Sequence, residues 1–74
     1  MAHVATLEEA QGVARAHGHA MIETDARASD RVLHFSCQHR DCQAWFDVDS
    51  YDDVIKACYG LDHSCPWRGK TYVR

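Results

Sequence analysis

Apolar residues recur at helical spacing near the start of the chain and at every second position further on, and this change of period divides the chain into elements. Thr6 and Glu9 stand three apart, the spacing of a capping box in which hydroxyl and carboxylate each satisfy a backbone N–H left free at a helix start. Leu7, Ala10, Ala14 and His17 then share one face with Val13 beside it, and Gly18 stands where a C-terminal cap belongs. The spacing predicts a helix over 6–17, weakened at Gly12 by roughly 1 kcal/mol relative to Ala.

A short strand is expected over 19–24, where Ala20, Met21 and Ile22 precede a polar turn at 25–30. From Arg31 to Cys37 the pattern alternates, with Leu33, Phe35 and Cys37 on one face and Val32, His34 and Ser36 on the other. After Gln38-His39-Arg40-Asp41 the alternation resumes through Cys42, Ala44, Phe46 and Val48, so the two runs form a β-hairpin. Asp49 or Ser50 can cap a second helix, with Asp52 and Asp53 at the positive end of its dipole. Val54, Ile55 and Cys58 would share its buried face with Leu61 one turn on, and Gly60 would end it. A short strand is expected at 71–73. The expected fold class is α+β, a single domain over 1–74 in the order αβββα with that short C-terminal strand appended.

Size changes this picture. At 74 residues a hydrophobic core supplies only about 3 to 5 kcal/mol of net stability, and much of the apolar fraction here is Ala, which buries little area. A staple is therefore expected. No stretch approaches the roughly 20 apolar residues that span a bilayer, and the N-terminus lacks the features of a signal peptide. The expectation is a cytoplasmic protein with no membrane partner, in which four cysteines serve as metal ligands or buried thiols rather than disulfides.

The cysteines carry the chemistry. Cys37-x4-Cys42 places two thiols at the hairpin tip, on the face that also carries Leu33, Phe35, Ala44 and Phe46. In His63-Ser64-Cys65, residues i and i+2 of an extended segment point the same way, so imidazole and thiol converge. Two close pairs twenty residues apart suit a tetrahedral Zn²⁺ site, each pair spanning one edge. The predicted ligands are Cys37, Cys42, His63 and Cys65, holding one structural Zn²⁺ in a zinc-binding hairpin. Cys58 could replace His63, or His39 could coordinate; Cys58 instead falls on the presumed buried helix face, and His39 would force one loop to supply three ligands. His17 suits a helix's last turn, His34 falls on the face expected to meet solvent, and His3 and His19 lie in weakly patterned regions. Trp45 shares the face of His34, where it is either a binding anchor or covered by the first helix or the C-terminal segment.

The arrangement Cys37-x4-Cys42-x20-His63-x-Cys65 resembles the zinc finger of the WRKY and GCM superfamily, over residues 37–65. The resemblance implies that Cys37, Cys42, His63 and Cys65 are ligands in a β-rich zinc-binding core. It does not carry DNA recognition, because the Trp-Arg-Lys-Tyr run that the family presents before its first cysteine has no counterpart in residues 25–36. An echo, Trp67-Arg-Gly-Lys-Thr-Tyr72, follows the last ligand instead. The αβββα order is also similar to that of a double-stranded RNA-binding domain, but the second helix here is not rich in Lys.

Charge ranks the partners. Residues 1–30 carry five acids and two bases, residues 31–66 six acids and three bases, and residues 67–74 three bases and no acid. An acidic body repels phosphate and favours protein partners, so a non-catalytic protein-interaction or regulatory module is expected first. A nucleic-acid-binding finger comes second, using Trp67, Arg68, Lys70, Tyr72 and Arg74 as a basic aromatic tail, with Trp45 as a further partner-binding residue. An enzyme is not expected: four protein ligands leave zinc no open position, and no Gly-rich phosphate loop or deaminase motif is present.

Overall fold

The computed structural model describes residues 4–25, 29–39 and 41–66, which form one helix followed by a four-stranded antiparallel sheet. The strands run in chain order as a meander: β1 (Met21–Thr24), β2 (Val32–Cys37), β3 (Trp45–Asp49) and β4 (Ile55–Tyr59). The expected strand at 71–73 and the tail residues Trp67, Arg68, Lys70, Tyr72 and Arg74 lie outside the described residues.

Helix α1 (Leu7–Ala16) starts on the capping box, with Thr6 Oγ1 accepting from the Glu9 backbone N–H and Glu9 returning a carboxylate to the Thr6 N–H. It ends in a Schellman motif. Gly18 takes φ +83°, its N–H donates to the Arg15 carbonyl, and the His19 N–H donates to the Ala14 carbonyl at 2.9 Å. The small residues Ala10 and Ala14, both fully buried, let the helix lie close on the sheet.

The sheet face under the helix carries Leu33 and Phe35 of β2 and Phe46 and Val48 of β3, in the registers Leu33↔Val48 and Phe35↔Phe46. Phe46 is fully buried and stacks on Phe35 at 4.9 Å between centroids. Burying a side chain of that size contributes about 1.5 to 3 kcal/mol. The opposite face carries Ile22, Ser36, Trp45 and Tyr59 in one row across all four strands, with Thr24, His34 and Asp47 in the next. Trp45 is thus on the far side of the sheet from α1 and is not covered by it. It is half-buried and stacks on His34, whose Nδ1 lies 2.6 Å from Asp47 Oδ1; His34 is accordingly more enclosed than the alternation implies.

The second helix is not formed, and its residues build β4 instead. Asp49 does begin what a helix cap would begin: its carboxylate accepts from the Tyr51 N–H at 2.8 Å, and its carbonyl accepts from the Asp53 N–H at 2.9 Å, closing one α-turn. Asp53 then adopts φ +57°, which ends the turn and reverses the chain. From there Val54 bridges to Thr6 and Ile55 pairs with Val48, across a bulge between Asp47 and Val48. Over residues 54–59 the pairing with β3 decides for a strand, since an isolated two-turn helix is marginal by itself. Cys58 consequently sits exposed on an edge strand rather than on a buried helix face. The sheet also leaves Asp49 buried, with Arg31 Nε donating to Oδ2 at 2.6 Å.

Candidate metal centre

His19, Cys37, Cys42 and Cys65 converge at the end of the sheet where α1 stops, their donor atoms all within 4.8 Å of one another. With Zn–S near 2.3 Å and Zn–N near 2.0 Å, a tetrahedral site has ligand edges of about 3.8 Å between sulfurs and about 3.5 Å between sulfur and nitrogen. The Cys37 and Cys65 sulfurs stand 3.9 Å apart, and His19 Nδ1 is 3.3 Å from the Cys42 sulfur. The cluster could hold a metal ion such as zinc. All four cysteines of the chain are free thiols, and His19, Cys37 and Cys65 are buried.

Each donor is held by backbone that the sequence dictates locally. Gly18 ends α1 and the Schellman bond fixes the His19 backbone, so the imidazole leaves the helix end pointing at the hairpin. Cys37 is the last residue of β2, and its N–H donates to the Ala44 carbonyl at 2.9 Å, closing the hairpin loop. Within that loop the Cys42 N–H donates to the His39 carbonyl and Asp41 takes φ +65°, turning Cys42 back toward Cys37. Cys65 arrives after Gly60, whose φ of +71° ends β4, and its own N–H donates to the His17 carbonyl at 2.9 Å.

The hydrogen bonding of His19 assigns its tautomer. Nε2 lies 2.7 Å from the His63 carbonyl oxygen, an acceptor only, so Nε2 carries the proton and Nδ1 presents its lone pair to the cluster. Burial pushes the Cys42 thiol up to about 12, and the neighbouring thiols Cys37 and Cys65 add to that rise against a hydrogen bond from the Ala44 backbone. Without a metal Cys42 is therefore a thiol at neutral pH, and loading must displace its proton.

Three of the four ligands expected from spacing, Cys37, Cys42 and Cys65, come together; the fourth position is taken by His19. His63 contributes its backbone carbonyl to His19, while its ring is exposed and lies 3.9 Å from Asp62. His19 enters the cluster through the strand register. His19 lies two residues before Met21 in an extended run, hence on the same face, and Met21 pairs with Cys37. The alternative ligand Cys58 is exposed on β4, away from the cluster, whereas His39 stands beside it with Nδ1 3.2 Å from the Cys65 sulfur and 3.5 Å from that of Cys37.

The two sides of the cluster differ in access. An open cleft of about 220 Å³, lined by His19, Asp41, Cys42, Gly60, His63 and Pro66 among others, reaches the His19–Cys42 edge. Cys37 and Cys65 do not line it.

No protein-family model matches the chain, and neither do the curated proteins or the solved structures with which it was compared; the spacing that resembles WRKY and GCM fingers includes His63, whose ring lies outside the cluster.

Proposed function

We propose that the chain is a small, non-catalytic module stapled by one structural Zn²⁺ on His19, Cys37, Cys42 and Cys65, and that it acts by binding another protein. The observation that carries this is the mutual approach of one imidazole and three thiols, three of the four residues buried. This donor set is that of structural zinc, and four protein ligands leave the ion no site for a catalytic water. A reducing cytoplasm is the compartment in which three such thiols remain available to metal.

Protein is favoured over nucleic acid by two features. The body of the chain, residues 1–66, carries eleven acids against five bases. The sheet face away from the helix offers Ile22 and Tyr59, both exposed, beside the half-buried Trp45, an apolar and aromatic row suited to a protein surface. Nucleic-acid binding through Trp67, Arg68, Lys70, Tyr72 and Arg74 is the second reading, favoured by the three cations that follow the last ligand.

A salt titration against duplex and single-stranded DNA separates the two. The expected result is no binding at physiological ionic strength. Tight binding that is abolished by neutralising Arg68, Lys70 and Arg74, with a logarithmic salt slope no greater than about 3, would establish the second reading instead.

A further inference from the structure

The metal centre has five donors within reach and room for four, and the fifth is placed on one side only. His39 Nδ1 lies against both Cys65 and Cys37, 3.2 and 3.5 Å from their sulfurs, while His19 and Cys42 form the opposite edge beside the open cleft. We infer that His39 caps the Cys37–Cys65 edge with N–H···S hydrogen bonds and so leaves Cys42 as the one reactive, exchangeable thiolate of the loaded centre. This rests on the zinc reading above.

The physical reason is charge. Three thiolates and a neutral imidazole around Zn²⁺ leave a net charge of −1 on the cluster, concentrated on the sulfurs. A donor hydrogen aimed at a thiolate stabilises that charge and lowers its reactivity as a nucleophile, as outer hydrogen bonds do at metal sites generally. Cys65 and Cys37 have both this donor and burial; Cys42 is half-buried and lines the cleft. A soft electrophile therefore enters from the cleft and meets Cys42. The sulfur lone pair would form the new bond to carbon as the leaving group departs with its electron pair, and the resulting neutral thioether would hold the metal only weakly. The same asymmetry directs competing chelators to the His19–Cys42 edge.

The test uses zinc-loaded protein carrying Cys58→Ala, which removes the exposed thiol outside the centre. Limiting iodoacetamide is added, zinc release is followed with a metallochromic indicator, and the label is located by peptide mass spectrometry. Cys42 should carry most of the first label, with zinc released in step. In His39→Ala the alkylation of Cys65 should rise about tenfold, equivalent to about 1.4 kcal/mol in the barrier. His39→Gln, which keeps an N–H donor, should restore much of the protection. Label appearing first on Cys65 or Cys37, or a pattern unchanged in His39→Ala, would overturn the inference while leaving the zinc reading intact. Loss of zinc on His39→Ala would make His39 a ligand and overturn it too. A preparation without zinc removes both, and elemental analysis identifies that case before any label is added.

Discussion

Replacing Phe46 by Ala should make folding depend on the metal. Phe46 is fully buried at the centre of the sheet and stacks on Phe35, and truncation of such a residue costs about 3 to 5 kcal/mol. A core built on Ala10, Ala14, Ala44, Val48 and Leu61 around Phe46, with Phe35 packed against it, supplies only about 3 to 5 kcal/mol in a chain of this size. The metal-free variant should therefore be largely unfolded at 25 °C. A ligand that binds only the folded state adds about 4 kcal/mol when present at a thousandfold its dissociation constant, enough to offset the loss. Far-UV circular dichroism during urea denaturation, on matched samples with zinc and with chelator, reads both terms. The wild-type chain should show two cooperative transitions separated by the metal contribution, and Phe46→Ala should show a cooperative transition only with zinc. A metal-free variant that unfolds as cooperatively as the wild type would refute the thin-core argument, and a midpoint indifferent to zinc would refute the coupling.

Other perturbations follow from single groups. Asp49 has its carboxyl held below the usual carboxylate range, first by the Tyr51 backbone N–H and then by Arg31, against burial that would raise it. Its contribution is therefore present above about pH 3.8 and lost as pH falls through its lower folded value, and Asp49→Ala should lower stability at neutral pH while flattening that acid limb in denaturant titrations. Cys42 in the metal-free fold is raised from 9.0 to about 12, so its contribution is intact below about pH 9 and is lost as pH rises toward 12; Cys42→Ala should weaken that alkaline loss in chelator-treated protein, measured by the same titrations. Cys58 is exposed on an edge strand, so Cys58→Ala should change stability by less than about 0.5 kcal/mol and leave metal content unchanged by elemental analysis.

Local signals were legible where one period was unambiguous. The capping box at Thr6 and Glu9 and the Gly18 terminator bound α1 within a residue or so, because both ends have dedicated hydrogen-bonding partners in the sequence itself. The alternation from Val32 to Cys37 set that strand and its buried face for the same reason. Residues 49–59 were not legible. An acidic start followed by Val54, Ile55 and Cys58 fits a helix, and what decides for a strand is the long-range pairing with β3 and the left-handed turn at Asp53, neither of which a period records. The same blindness explains the fourth donor. Close spacing picked His63 because it shares a dipeptide step with Cys65, but in space His63 supplies a carbonyl, and His19 reaches the cluster through the pairing of β1 with β2.

That exchange of histidines is the most direct point at which to test the account. Zinc content by elemental analysis, and the visible spectrum of the cobalt-substituted protein, should be measured on the wild-type chain, His19→Ala and His63→Ala. About one equivalent of metal is expected in the wild type, with the absorption of a tetrahedral site of three sulfurs and one nitrogen. His63→Ala should keep both, since only its backbone carbonyl meets His19, whereas His19→Ala should lose metal affinity and, with it, the stability that the metal adds to the fold. Retention of metal and spectrum in His19→Ala with their loss in His63→Ala, or a wild-type chain that takes up no metal, would contradict the centre described.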